Sequence, residues 1–243
     1  MPLIRVRGVE IYYSFRRRVG PDVIMVHGAG GNHLNWYYQI EHLPFTTIAP
    51  DLPGHGKSGG KPSTNIEDYA LIVAEFLKSS PGDKVLMGHS LGGHIVLKTV
   101  EMGYRPRGVV LVSSTARLPE LKPPESPEKF CSNMFYSPDH VERCLKTANQ
   151  ILSRNRESLE ADLKAAGSDV SFILRNLKIP VLFIYGTKDR LLDRKEIERT
   201  IGLVPAAKAY FVSAGHMVMI EKFKKVNRIL TEWIRELGFP SQL

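Results

Sequence analysis

Residues 84–93, Lys-Val-Leu-Met-Gly-His-Ser-Leu-Gly-Gly, constrain the fold of this chain more than any other stretch. Val85, Leu86 and Met87 form the short apolar run of a strand covered on both faces. Beyond them, Ile95, Val96, Leu97 and Val100 recur at helical spacing. Between strand and helix lies Gly88-His89-Ser90-Leu91-Gly92, a G-x-S-x-G pentapeptide. So sharp a turn needs unusual dihedrals and close backbone approach, and glycine permits both. A serine placed there is lifted to the top edge of a sheet, at a helix N-terminus.

Around this centre, strand and helix signals alternate. Residues 3–6 and 9–15 predict an antiparallel hairpin at a sheet edge, turning at Gly8. Residues 22–26, 46–49, 108–112, 180–185 and 207–212 predict further strands. Helices are predicted from Asn65, as N-cap, through Leu77, and over 195–202 and 219–237, with a short one around Trp36 and Ile40. This alternation implies a doubly wound, mostly parallel sheet with right-handed crossovers. It breaks once. From 115 to 172 no strand is predicted, four prolines mark the entry, and Val141, Leu145, Ala148 and Leu152 recur at helical spacing. The expected organisation is therefore a core over 1–114 and 173–243, with a helical cap over 115–172 inserted after the sixth strand.

The 243 residues suffice for one large α/β domain with an insertion. The formal net charge of +8 is spread over short runs that do not interleave with aromatics, so solvated faces are expected and no nucleic-acid partner. No apolar run approaches a membrane span, and the N-terminus lacks an apolar signal core, so no export is expected. The two cysteines, Cys131 and Cys144, are sparse and without motif; free thiols in a reducing, cytoplasmic setting are expected. No histidine–carboxylate cluster has zinc spacing, and neither metal nor cofactor is expected.

In parallel sheets, sites form at the carboxyl ends of strands. Serine needs a base to take its proton and a third group to orient that base. Candidate bases are His27, His55, His89 and His216; candidate orienters are Asp51 and Asp189. His216 follows the last strand and Asp189 the one before it, so Ser90, Asp189, His216 is the reading preferred, in the chain order this turn implies. Asp51 is expected to brace the 53–58 loop, His55 and His89 to make structural hydrogen bonds, and Asp193 to cap the next helix. A tetrahedral intermediate needs two N–H donors. The amide of Leu91 is one; the amide of Ala29, in His27-Gly28-Ala29-Gly30-Gly31, is the other. That glycine loop lacks the spacing and the lysine of a phosphate-binding loop.

Residues 27–31, 51–58, 88–93, 186–189 and 215–216 together resemble the α/β-hydrolase superfamily, most of all its compact capped carboxylesterases. The resemblance implies a cofactor-free serine hydrolase of carboxylic esters, acting on a small-molecule substrate with small to medium apolar groups. C–C bond hydrolases, lactonases and thioesterases share the triad and stay open, as does a non-catalytic ligand-binding member. Serine at position 90 sets aside the epoxide hydrolases and dehalogenases, which use aspartate there. The expected pocket is apolar, between cap and sheet, with Gly28, Phe130, Met134, Phe135, Leu192 and Met217 as candidate lining residues.

Overall fold

The computed structural model describes residues 2–79 and 82–239. Its strands are β1 (Leu3–Val6), β2 (Val9–Arg16), β3 (Asp22–Val26), β4 (Thr46–Pro50), β5 (Lys84–His89), β6 (Gly108–Val112), β7 (Val181–Gly186) and β8 (Lys208–Val212). They form one sheet in the order β1-β2-β4-β3-β5-β6-β7-β8. β1 and β2 pair antiparallel at one edge, β2 pairs antiparallel with β4, and every pair from β4 onward is parallel. The order reverses at β3, which lies between β4 and β5. Sheets of this kind bind ligands at such a switch point, here the carboxyl ends of β3 and β5.

Two helical layers cover the sheet because alternate residues of each strand feed opposite faces. Val23 and Met25 join Trp36, Leu230 and Trp233 on one side; Ile24 and Val26 join Tyr69, Val73 and Leu97 on the other. Helices α1 (Tyr37–His42), α9 (Val218–Glu221) and α10 (Phe223–Glu236) serve the first layer. Helices α2 (Ile66–Lys78), α3 (Leu91–Glu101) and α8 (Arg194–Gly202) serve the second. Asn65 caps α2 by accepting from the Asp68 amide, and Asp193 caps α8 by accepting from Lys195 and Glu196. The single helix expected over 219–237 is broken at Lys222, whose φ of −125° and ψ of 38° leave the helical region. Glu221, at the break, turns inward onto backbone amides of two other segments. Among the described residues no helix is long and apolar enough to cross a membrane.

Between β6 and β7 stand four helices: α4 (Pro127–Met134), α5 (Pro138–Arg154), α6 (Arg156–Ala165) and α7 (Ser171–Asn176). The chain enters and leaves this insertion side by side. Arg117 and Asp169 form an antiparallel bridge, the Val170 amide donates to the Ala116 carbonyl, and Arg117 Nε lies 2.7 Å from Asp169 Oδ2. Position 172 falls inside α7, whose Ile173 and Leu174 pack in the same core layer as α3. One expectation is overturned here: Cys131 and Cys144 are disulfide-bonded, their Cα atoms 5.7 Å apart. The turn after α4 sets α5 against it and brings together two cysteines 13 residues apart, which periodicity alone does not reveal.

Candidate active site

Ser90 ends β5 and starts α3 with φ of 51° and ψ of −120°. A left-handed φ on a non-glycine residue costs on the order of 1–3 kcal/mol, which the surrounding structure must impose. The turn's glycines take a different part from the one the sequence suggests. Neither Gly88 nor Gly92 has a positive φ; the serine itself carries the unusual dihedral. What the glycines supply is room, because a Cβ on Gly88 would lie 2.3 Å from the Gly92 carbonyl oxygen and one on Gly92 2.3 Å from that of Val26.

His216 and Asp189 meet as the strand order requires. His216 Nδ1 lies 2.8 Å from Asp189 Oδ2, and both side chains are buried. The carboxylate can only accept, so Nδ1 carries a proton, and in the neutral ring it is Nε2 that holds the lone pair. Burial pushes the Asp189 carboxyl up, but His216 and the amides of Leu191 and Leu192 outweigh it and hold the group below its ordinary range. The His216 loop is anchored through its backbone: its carbonyl accepts from Ser113 Oγ at 2.8 Å and from His89 Nε2 at 3.3 Å. His89, next to Ser90, sets its ring 4.8 Å from that of His216. Burial, then the nearby His216, depress the His89 pKa to about 3, so His89 stays neutral and structural.

The loop after β3 lies directly against this turn. A Cβ on Gly28 would fall 2.8 Å from His89 Nδ1 and 3.3 Å from Ser90 Cβ, so only glycine allows the approach. The Gly28 carbonyl accepts from the Gly31 amide at 3.1 Å and from His27 Nδ1 at 2.8 Å. His27 Nε2 accepts in turn from the Leu52 amide, which fixes the ring's tautomer. With the Gly28 carbonyl pinned, the Ala29 N–H of the same peptide plane points the opposite way. Among the described residues the amides of Ala29 and Leu91 donate to no protein acceptor. The Leu91 N–H directly follows the strained serine, and the Ala29 N–H follows the glycine packed against it.

These features sit within a recognisable whole, because the alpha/beta hydrolase family model matches residues 23–229. The chain belongs to that family. A pimeloyl-[acyl-carrier protein] methyl ester esterase of Vibrio parahaemolyticus is 30% identical over 72% of this chain and 79% of its own length. A Haemophilus influenzae protein provisionally named a 2-succinyl-6-hydroxy-2,4-cyclohexadiene-1-carboxylate synthase is 27% identical over 90% of this chain and 99% of its own. Among solved structures, a thermophilic esterase superposes with a TM-score of 0.83 at 27% identity, covering 98% of both chains.

The other sequence candidates have clear places in this hydrolase. Asp51 accepts from the amide and Nδ1 of His33 and from the Lys57 amide, so it braces the 53–58 loop as expected. Leu192 and Met217 are buried in opposite core layers, and Met134 and Phe135 pack against the layer that holds Met217. The Met217 amide donates to the Met134 carbonyl, which seats the end of α4 on the His216 loop. Phe130, on α4, is half-buried.

Sequence reasoning missed two buried carboxylates. Glu221 accepts from the Gly215 amide at 2.9 Å and from the amides of Tyr136 and Ser137, tying the His216 loop to the insertion. Asp162, fully buried on α6, accepts from Gly30, His55 and Tyr69. Ser158, Asp162, Ala165 and Ala166 fall at helical spacing, and an acid on such a stripe of small residues is the one signal the sequence offered.

Proposed function

We propose that this hydrolase cleaves carboxylic esters with small to medium apolar groups through an acyl-enzyme on Ser90. The observation that supports this best is the buried His216–Asp189 pair, set at the same strand ends as a strained serine. In this reading Ser90 Oγ attacks the ester carbonyl carbon while His216 Nε2 takes its proton. The oxyanion forms against the amides of Ala29 and Leu91. The tetrahedral intermediate collapses, and His216 returns the proton to the departing alcohol. Water then attacks the acyl carbonyl, with His216 again as base, and Ser90 leaves with the proton. Asp189 holds the ring tautomer and balances the imidazolium without being protonated.

The insertion serves as the cap that selects the acyl or alcohol group, with Gly28, Phe130, Met134, Phe135, Leu192 and Met217 as the pocket residues. The substrate is a small molecule, and methyl esters belong in any panel because one relative is named for one. The pairing of Cys131 with Cys144 removes the cysteine argument for a cytoplasmic setting.

The test is turnover of short-chain p-nitrophenyl and methyl esters by wild type and Ser90→Ala, with fluorophosphonate labelling of both. Wild type should be labelled and active; Ser90→Ala should be unlabelled and reduced to the residual rate of binding and the oxyanion hole. Substantial turnover by Ser90→Ala would remove Ser90 as nucleophile. Activity on C–C, lactone or thioester substrates in place of these esters would move the protein to the corresponding branch of the family.

A further inference from the structure

Helix α6 reaches from the insertion into the loop after β3 and holds it at one residue. Gly30 is gripped from both sides: its amide donates to Asp162 Oδ2 at 2.8 Å, and its carbonyl accepts from Asn155 Nδ2 at 2.9 Å. Leu159, from the same helix, lies against its Cα, where an added Cβ would come within 3.2 Å of Leu159 Cδ1. Three groups of the insertion thus fix a single glycine of the core. Gly30 directly follows Ala29, whose N–H is the second oxyanion donor in the reading above.

The Asp162 carboxylate is itself firmly held. Its Oδ2 also accepts from His55 Nε2 at 2.8 Å, and its Oδ1 accepts from the Tyr69 hydroxyl at 2.6 Å. The other nitrogen of His55 faces the Pro53 carbonyl at 3.0 Å. Both ring nitrogens therefore meet acceptors, an arrangement that only the doubly protonated imidazolium satisfies. Burial pushes the His55 pKa down, but the hydrogen bond His55 donates to Asp162 and the charge of that carboxylate outweigh this and raise it. A fully buried carboxylate with an imidazolium, a hydroxyl and an amide around it has a single low-energy geometry, because losing any partner exposes an uncompensated charge.

We infer that Asp162, assisted by Asn155, is a positioning residue of the oxyanion hole: α6 fixes the peptide planes at Gly30 and thereby the aim of the Ala29 N–H. The inference rests on the ester-hydrolase reading and deepens it. The insertion then contributes to the rate of the chemical step as well as to substrate choice. Asp162 touches no reacting atom; it acts through the backbone. An oxyanion donor contributes only when it points at the charge that forms in the transition state, so a misaimed amide lowers kcat and leaves ground-state binding alone.

The experiment compares wild type, Ser90→Ala, Asp162→Asn, Asn155→Ala and, as a stability control remote from α6, Ile234→Ala. Each is assayed on a p-nitrophenyl ester, well below its own Tm, and titrated with a trifluoromethyl ketone that mimics the tetrahedral intermediate. For Asp162→Asn we expect kcat to fall by about ten- to a hundredfold, the scale of a small misplacement at a reacting centre. KM should change little, and affinity for the ketone should fall by a similar factor. Asn155→Ala leaves the buried pair intact, so it guards against a folding failure of Asp162→Asn; a smaller loss of the same pattern is expected. Ile234→Ala truncates the core on α10, in the layer opposite the one that Ala165 of α6 joins, and should lower Tm while holding kcat. Loss of kcat in Ile234→Ala in proportion to its Tm, or unchanged kcat and ketone affinity in both Asp162→Asn and Asn155→Ala, overturns the positioning role and leaves the hydrolase reading standing. An inactive wild type, or an active Ser90→Ala, overturns that reading and the positioning role with it.

Discussion

Mild acid should destabilise this protein before any carboxylate titrates, and three buried histidines set the size of the effect. Burial lowers His27 and His94 to about 4, the first assisted by the nearby His55, and lowers His89 to about 3. In the unfolded chain each returns to 6.5. Between pH 6.5 and about 4 the unfolded state therefore holds protons that the folded state refuses, and stability falls as pH falls. At pH 5 the linkage relation gives about 2 kcal/mol for each residue, about 6 kcal/mol for the three together. That rivals the ~5–15 kcal/mol of a typical domain. Asp51 and Asp189 have lowered pKa values, so their contribution is present above 3.8 and is lost only as pH drops through their lower folded values. His55 is raised, so its contribution is full below 6.5 and is lost as pH rises through its folded value. Urea unfolding at pH 7 and pH 5 measures the effect. His94→Gln isolates one share: an amide can still donate to the Thr115 carbonyl, which His94 Nε2 meets at 2.8 Å, and cannot titrate. The variant should lose about 2 kcal/mol less than wild type between the two pH values. Equal losses in the two proteins, or equal wild-type stability at pH 7 and pH 5, would refute the reasoning.

Three further outcomes are expected. Asp189→Asn presents an amide to His216 Nδ1 and destroys the tautomer that leaves Nε2 free, so ester turnover should fall by up to roughly 10⁴ with labelling of Ser90 correspondingly slow. Replacing both cysteines, Cys131→Ser with Cys144→Ser, opens a loop spanning 13 residues; chain entropy puts the loss at about 3 kcal/mol, read as faster amide exchange in α4 and α5. Phe130→Ala and Phe135→Ala should shift the preferred acyl length; an unchanged profile in both, with only Tm lowered, would make them packing residues of the cap.

The serine turn was legible because it is local, and the pairing of Asp189 with His216, 27 residues apart, because both follow strands of one parallel sheet. A short apolar run, two glycines at fixed offsets and a helical period define the turn without reference to the rest of the chain. Once the sheet is parallel, its carboxyl ends gather the remaining loops. Asp51 and Asp193 were readable because each accepts from amides two to six residues ahead along its own loop or helix start, although Asp51 also reaches back to His33. The illegible features are those set by how separate elements pack on one another. Asp162 meets His55 and Tyr69, 107 and 93 residues away, and nothing in an acid on an amphipathic helix names those partners. The Cys131–Cys144 bond depends on how two helices of the insertion turn on each other. The break at Lys222 interrupts a regular apolar period, and its counterpart is a set of amide contacts made by Glu221 rather than any helix-breaking residue.

Glu221 and Asp162 together bear on how the two parts of the fold can evolve. Glu221 belongs to the core and binds amides of the insertion at Tyr136 and Ser137, along with Gly215 beside His216. Asp162 belongs to the insertion and binds the core at Gly30, His55 and Tyr69. One carboxylate crosses in each direction, and each ends on a loop that carries a catalytic group in the proposed mechanism. A buried carboxylate cannot lose a donor without a cost of several kcal/mol, so both junctions resist gradual sliding. The ground least tied to either junction is therefore α5, which lies between them, has a mostly exposed surface and is joined to α4 by a disulfide. Substitutions there can reshape a pocket while both loops stay aimed, whereas substitutions on the buried face of α6 should register in kcat however far they lie from the ester.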